Sequence, residues 1–152
     1  MPNTTPPLSD AVFLAQTDTT VGFLSQNGGR LEQIKSRLPG KQFLKVFADL
    51  KTYKASGGRV PNRHKAVVRR AEKTTFIVKG QAFRIVAAGE HHDFLKRYGW
   101  MYSTSANQSG HAFERTFCES NADIIVEDSR GLCECEASRI LRLGNATRSR
   151  IR

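Results

Sequence analysis

The chain has 152 residues, 39% of them hydrophobic and 25% charged. That is the balance of a soluble globular domain able to bury a core without disulfide or metal support, and no apolar run approaches the roughly 18 residues of a membrane-spanning helix. Lys and Arg number 24 against 14 Asp and Glu, a net charge of +10 that favours polyanionic partners or serves solubility alone.

Residues 1–10, MPNTTPPLSD, are polar and Pro-rich and lack the cationic and apolar segments of a signal peptide. They read as a disordered tail ahead of one domain over residues 11–152. Ala11 to Ala15 is a short apolar run, expected as a buried strand, and it opens into Gln16-Thr17-Asp18-Thr19-Thr20-Val21-Gly22-Phe23. Asn27-Gly28-Gly29 is a turn signal. Leu31, Ile34 and Leu38 follow at helical spacing, so residues 30–37 are expected to be a helix stopped by Pro39-Gly40.

Phe43 to Ala48 is a second apolar strand, and Asp49 is placed to cap a short helix over 49–53. Ser56 to Pro61 is a loop, and Asn62 to Lys73 a strongly basic helix with Asn62 as its N-cap. Thr74 to Val78 and Ala82 to Val86 are β-rich runs separated by Lys79-Gly80-Gln81, a hairpin signal. Glu90 to Tyr98 reads as a helix closed by Gly99. Trp100 to Tyr102 is a strand leading into a loop, Ser103-Thr104-Ser105-Ala106-Asn107-Gln108-Ser109-Gly110. A helix over 112–120 and strands over 123–126 and 138–143 complete the chain. Helices and strands alternate with one hairpin interrupting, which predicts a mixed α/β sheet flanked by helices.

Charge and cysteine usage narrow the chemistry. Residues 30–84 hold 15 basic and three acidic groups, residues 114–136 hold seven acidic and two basic, and residues 139–152 hold five arginines and no acid. Cys118, Cys133 and Cys135 are odd in number, and Cys133-Glu134-Cys135 is not a zinc-type spacing. His91 and His92 are adjacent and would point about 100° apart on a helix, a poor chelating pair. No metal site, a reducing compartment and a cytoplasmic location are expected.

Three segments carry candidate chemistry. The 103–110 stretch offers hydroxyls, carboxamides and a glycine after a strand, which suits close hydrogen bonding to a phosphate or carboxylate and equally suits an ordinary polar turn. Thr17-Asp18-Thr19-Thr20-x-Gly22 is a second loop of this kind, or a turn capped by its own side chains. Lys35-Ser36-Arg37 sets two cations at a helix end, where they can converge on a triphosphate or simply complement the helix dipole. The basic run from Arg59 to Lys73 can contact RNA phosphates or form a solvated face.

Taken in order, a Thr-Asp-Thr loop, Lys-x-Arg, a Thr-Phe-Ile-Val strand, an Ala-Phe-Arg-Ile-Val strand and Ser-Thr-Ser-Ala-Asn-x-Ser-Gly resemble the Sua5/YrdC family of threonylcarbamoyl-AMP synthases. The resemblance runs from about Val12 to Leu143. Thr17, Asp18, Thr19 and Gly22 match the family's first loop, Lys35 and Arg37 its basic pair, Lys41 the lysine just after, and Ser105 and Asn107 its Ser-x-Asn. Thr75 and Arg84 fall where the family has a threonine and an arginine lining the site. Departures are Gln16 for a usual proline, Thr20-Val21 for a Val-aromatic pair, Leu38 and Gln42 for two prolines, and Val46 for a frequent histidine. Arg70-Ala71-Glu72-Lys73 replaces a Trp-Pro-Gly-Pro turn, and Ala137-Ser138-Arg139 keeps only the serine of a late Pro-Ser-Thr motif.

The resemblance implies a YrdC-like α/β domain, a twisted mixed sheet around a concave basic cavity. It also implies an enzyme joining L-threonine, bicarbonate or CO2 and ATP into threonylcarbamoyl-adenylate, with release of pyrophosphate. Lys35, Arg37, Ser105 and Asn107 would be catalytic. Those four, with Ser103 and Ser138, would bind ATP, and Thr17, Thr19, Thr75 and Arg84 would bind threonine. Mg²⁺ would arrive with ATP, with no tightly bound cofactor and no protein metal site. Implied partners are a downstream threonylcarbamoyl transferase complex and tRNA or double-stranded RNA, not a membrane. Two other readings stay open: a non-catalytic RNA-binding protein of the same fold, and a carbamoyl-transfer module acting on another acceptor.

Overall fold

Short apolar runs punctuated by turn residues become nine strands and five α-helices in the computed structural model, which describes residues 6–36 and 43–152. Arg37, Lys41 and the Pro39-Gly40 stop, like residues 1–5 of the expected tail, lie outside the described residues. The strands are β1 (Phe13–Gln16), β2 (Val21–Ser25), β3 (Leu44–Phe47), β4 (Thr74–Val78), β5 (Gln81–Ile85), β6 (Trp100–Ser105), β7 (Ile124–Val126), β8 (Arg139–Leu143) and β9 (Arg148–Arg150). The helices are α1 (Gly28–Lys35), α2 (Leu50–Ala55), α3 (Lys65–Arg70), α4 (Glu90–Tyr98) and α5 (Arg115–Asn121). The chain groups into two compact units, Met1–Phe43 with Tyr102–Cys135 and Leu44–Met101 with Glu136–Arg152.

In the first unit β2 runs antiparallel to both β1 and β6, and β1 runs parallel to β7. Every residue of β1 and β2 is buried, as the apolar run Ala11 to Ala15 predicts for the first of them. Asn27 begins α1 by accepting the Arg30 N–H at 3.4 Å, and Leu31 enters a core with Val12, Leu14, Val21, Phe23 and Cys118 of α5. Residues 6–10, expected within the disordered tail, include a turn closed by Asp10 N–H to Pro7 O at 2.8 Å. Asn27 and Arg30 donate to Asp10 and tie that turn to the start of α1.

In the second unit β3 and β5 are parallel, β4 and β5 antiparallel, β4 and β8 parallel, and β8 and β9 antiparallel. Both units are therefore mixed α/β, as the sequence predicts. The hairpin turn is Lys79-Gly80, with φ of 50° and 77°, the two left-handed positions of the turn that matches strand twist. Asp49 caps α2 by accepting the Thr52 N–H at 2.7 Å. Tyr53 of that helix stacks on Phe83 at 3.9 Å between ring centres, beside Phe47 and Phe76.

Three expectations are corrected. The basic helix over 62–73 is a 3-10 turn at Asn62–His64 followed by α3, which ends at Arg70, and Asn62 caps nothing. Buried His64, whose Nε2 lies 2.9 Å from Gly144 O, pins the chain where the longer helix would begin. Ser103, Thr104 and Ser105 belong to β6 and not to a loop, because Leu24, Phe23 and Gly22 pair with them. β2 and β9 were not expected at all.

Asp123 fastens the first unit. Its carboxylate accepts the Val12 N–H at 2.8 Å and pairs with the Arg30 guanidinium, joining the starts of β1, β7 and α1. Burial alone would raise this carboxyl, but the hydrogen bonds from Arg30 and Val12 hold it below its ordinary value. A carboxyl depressed on folding contributes stability above its unfolded pKa of about 3.9, and that contribution is lost as pH falls through the folded value. Asp123→Asn is expected to cost roughly 1–2 kcal/mol at neutral pH, allowing for solvent screening at Arg30, and to flatten part of the acid-induced loss below about pH 4. Urea midpoints across that range check both; equal midpoints for the two proteins at pH 7 would remove this role for Asp123.

Candidate active site

Ser105-Ala106-Asn107 stands where β6 ends. Ala106 is buried and its N–H donates to Val21 O at 3.0 Å, which extends the ladder with β2 by one residue. Ser105 on one side of it is exposed and Asn107 on the other is half-buried. The Ser105 hydroxyl donates to Asn107 Oδ1 at 2.6 Å, and Asn107 Nδ2 donates to His111 O at 2.5 Å. The carboxamide is thereby oriented before any ligand arrives.

Lys35, the last residue of α1, reaches this turn. Its side chain is buried, and its Nζ donates to Ser105 O at 3.0 Å, Asn107 O at 2.8 Å and Asn107 Oδ1 at 2.8 Å. Ser109 Oγ donates back to Lys35 O at 2.5 Å, holding the helix end to the same turn. These three acceptors are neutral. They fix the ammonium without cancelling its charge, which suits an anion delivered to Ser105 and Asn107. The charge is also felt nearby: burial raises the Cys118 thiol, and Lys35 is among the groups pulling it the other way.

The Thr17–Thr20 turn joins β1 to β2. Thr17 Oγ1 donates to Thr20 O at 2.5 Å, accepts the Thr19 N–H at 3.1 Å and lies 3.3 Å from Thr19 Oγ1. Both threonines are buried, so their hydroxyls build the turn. Gly22 keeps it close to β6. A Cβ there would stand 3.0 Å from Thr104 O and 3.2 Å from Thr17 Cγ2. Ser103 is buried opposite Leu24.

A segment that sequence reading passed over straps this turn. Arg130 Nη2 donates to Thr17 O at 2.9 Å, Cys133 N–H to Gln16 Oε1 at 2.8 Å, and Cys135 N–H to Thr20 Oγ1 at 3.1 Å. Val21 N–H returns a bond to Cys133 O at 3.1 Å. Gln16, where the resembling family has proline, thus has a local use: its carbonyl receives the strap. Its Nε2 is buried with no hydrogen-bond partner among the described residues. Most of these bonds use backbone groups, which no side-chain pattern announces.

The second unit gathers three other expected residues. Thr75 sits opposite Arg84 in the β4–β5 pair, and its Oγ1 lies 2.8 Å from Ser138 Oγ just before β8. Arg84 is buried at 4% exposure. Arg152 donates from Nε to Ser138 O at 3.0 Å, which fixes the backbone there. Lys35, Ser105 and Asn107 therefore form one cluster, Thr17 and Thr19 one turn, and Thr75, Arg84 and Ser138 another cluster.

Gly22→Ala is expected to push the Thr17 turn or spread β2 from β6, at roughly 1–3 kcal/mol. Denaturant midpoints and amide shifts over residues 17–20 and 103–105 read this. An unchanged midpoint with unmoved shifts would mean the close approach has no energetic role.

No protein-family model matches the chain. It is 30% identical over 102 residues to an uncharacterized protein of Mycoplasma pneumoniae, the MG259 homolog, covering 61% of this chain and 20% of that one. Among solved structures it is similar to P. abyssi Sua5 complexed with L-threonine, at TM-score 0.73 and 16% identity over 93% of this chain and 50% of that one. It is similar also to E. coli YciO, at TM-score 0.73 and 16% identity over 94% of this chain and 82% of that one. Full-length HypF in its phosphate- and nucleotide-bound form gives TM-score 0.72 and 14% identity over 93% of this chain and 26% of that one. The chain thus spans about a fifth of the curated relative and about half of Sua5. The resemblance carried by the sequence motifs is matched in three dimensions: this chain has the fold of the Sua5/YrdC proteins.

Proposed function

We propose that this chain carries out the adenylate-forming reaction of a threonylcarbamoyl-AMP synthase, for threonylcarbamoyladenosine modification of tRNA. The observation that carries this reading is the cluster of Lys35, Ser105 and Asn107, a fixed cation beside neutral hydrogen-bonding groups at a strand end. The likeness to a Sua5 that holds L-threonine, and to a HypF that holds phosphate and nucleotide, supports it.

The threonine amine adds to CO2 and loses a proton, giving a carbamate. A carbamate oxygen attacks the α-phosphorus of ATP, the bond to the bridging oxygen breaks, and pyrophosphate leaves with the electron pair. The carbamate and ATP are both anionic, so the protein's task is positioning and charge neutralisation. Lys35 exchanges a carbonyl acceptor for a phosphate oxygen and stabilises the leaving pyrophosphate, with Arg37, two residues on in sequence, as a second cation. Ser105 and Asn107 hold phosphate and carbamate by neutral hydrogen bonds. Thr17 and Thr19 are assigned to threonine, as are Thr75 and Arg84, and Ser138 to ATP. Mg²⁺ travels with ATP on its phosphate oxygens. The adenylate is then consumed by a threonylcarbamoyl transferase.

Pyrophosphate release with ATP, Mg²⁺, bicarbonate and L-threonine, each omitted in turn, tests this together with mass detection of the adenylate. Release is expected to need both threonine and bicarbonate, and Lys35→Met to lower it by at least about 100-fold. Release by Lys35→Met at the normal rate would refute the role of Lys35. Folded protein that gives no release yet binds tRNA in a salt-sensitive way would favour the non-catalytic RNA-binding reading.

A further inference from the structure

The basic excess is not shared between the units. The second unit holds 18 of the Lys and Arg residues against five Asp and Glu, and the first holds six against nine. Within the second unit an open cavity of about 660 Å³ is lined by Arg59, Lys79 and Arg142, with Asn62, Thr147 and Ser149, and no acidic residue lines it. The three cations are exposed.

The walls of the cavity are built. Tyr53 OH donates to Arg59 O at 3.2 Å, and buried Val60 anchors the segment after α2. Lys79 occupies the left-handed hairpin turn, where it is exposed. The β8–β9 turn is closed by Gly144 N–H to Thr147 O at 2.8 Å. It is held from behind by His64 at Gly144 O and by Arg63 Nη1 to Ala146 O at 3.3 Å. Ile77 pairs with Arg142, so the cavity lies at the hairpin end of β4, whereas Thr75 and Ser138 meet near its other end. Lys79 lies four residue steps on from Thr75, roughly 13 Å along the strand direction.

Three cations with amide and hydroxyl donors and no carboxylate are complementary to a phosphate, and the two guanidinium groups can grip it bidentately. Charge continues beyond the cavity. Arg148 and Arg150 are exposed on β9, and Lys65 and Arg69 crowd Lys54, lowering its ammonium below the ordinary value. A lone phosphorylated metabolite would leave most of these cations unmatched, whereas a ligand whose charge repeats along its length would not. We propose that this cavity seats a phosphodiester of a nucleic-acid backbone, with the surrounding arginines following the chain on either side. Phosphate contacts of this kind set position without reading sequence.

Anisotropy titrations of labelled bulk tRNA and of a DNA duplex across a salt series test this. Arg59, Lys79 and Arg142 are replaced together by alanine, and a control protein carries K51A, K96A and R97A with the same loss of charge. The cavity variant is expected to bind at least about tenfold more weakly at fixed salt, with a slope of log K against log salt shallower by close to one per lost contact. The control is expected to stay within about twofold of the unmodified protein. Equal weakening of both would overturn the site in favour of bulk charge. Tight binding of inorganic phosphate or AMP that the cavity variant loses, with tRNA and duplex binding unchanged, would overturn the nucleic-acid assignment in favour of a small phosphate. Thermal melting confirms that both variants fold. Threonine-dependent pyrophosphate release should persist in the cavity variant, so this proposal and the synthase reading fail separately.

Discussion

The first unit depends on the antiparallel pairing of Gly22–Ser25 with Tyr102–Ser105. Two stretches of chain far apart in sequence become one body through it. Closing so long a loop costs entropy, and the buried strands β1 and β2 with their helices must repay it through apolar contact. The register does more than join them. It delivers Ala106 to Val21 O, so the turn after β6 begins at a fixed point, within reach of Lys35 at the end of α1. Shifted by one residue, the same strand would turn Ser103 outward and Ala106 away from the core.

The two units handle positive charge in opposite ways. Lys35 is buried, and an ammonium out of water is costly unless its protons are satisfied. Two backbone carbonyls and a carboxamide supply hydrogen-bond acceptors for it, all three of them neutral. In the second unit the cations are mostly exposed and hydrated, so each costs little, but together they raise a long-range field. One arrangement gives a local, oriented charge fit for a reaction. The other raises a field that is felt over distance.

Local signals in the sequence were legible where they had a local cause. Asp49 with Thr52 three residues on fixes the start of α2, and Lys79-Gly80 between two β-rich runs fixes the hairpin. Gly99 ends α4 with φ of 83°. Pairing across the chain was not legible. β2 was hidden by the threonines before it and by Gly22 within it, and β9 carries two arginines and no apolar residue. Ser103 to Ser105 looked like a loop because small hydroxyl residues show no apolar alternation, although the backbone of Phe23 and Leu24 is all that the pairing needs. Of the candidate site, the motif resemblance placed Lys35 with Ser105 and Asn107, which spacing alone could not have joined. The strap from Arg130 to Cys135 had no signal, since it is held largely by main-chain groups.

Among the described residues β9 is the outermost strand of the second unit, and it reads Arg148-Ser149-Arg150. An edge strand presents unpaired N–H and C=O groups, a template on which a second sheet can grow. Here the template is three residues long, and Arg148 and Arg150, two apart, lie on one face of it. A second copy approaching edge to edge would bring guanidinium against guanidinium and would have to shed the water around each. The same short cationic strand that helps to frame the cavity therefore also keeps this edge from sticking to its own kind, which matters most at the concentrations where folded proteins otherwise aggregate.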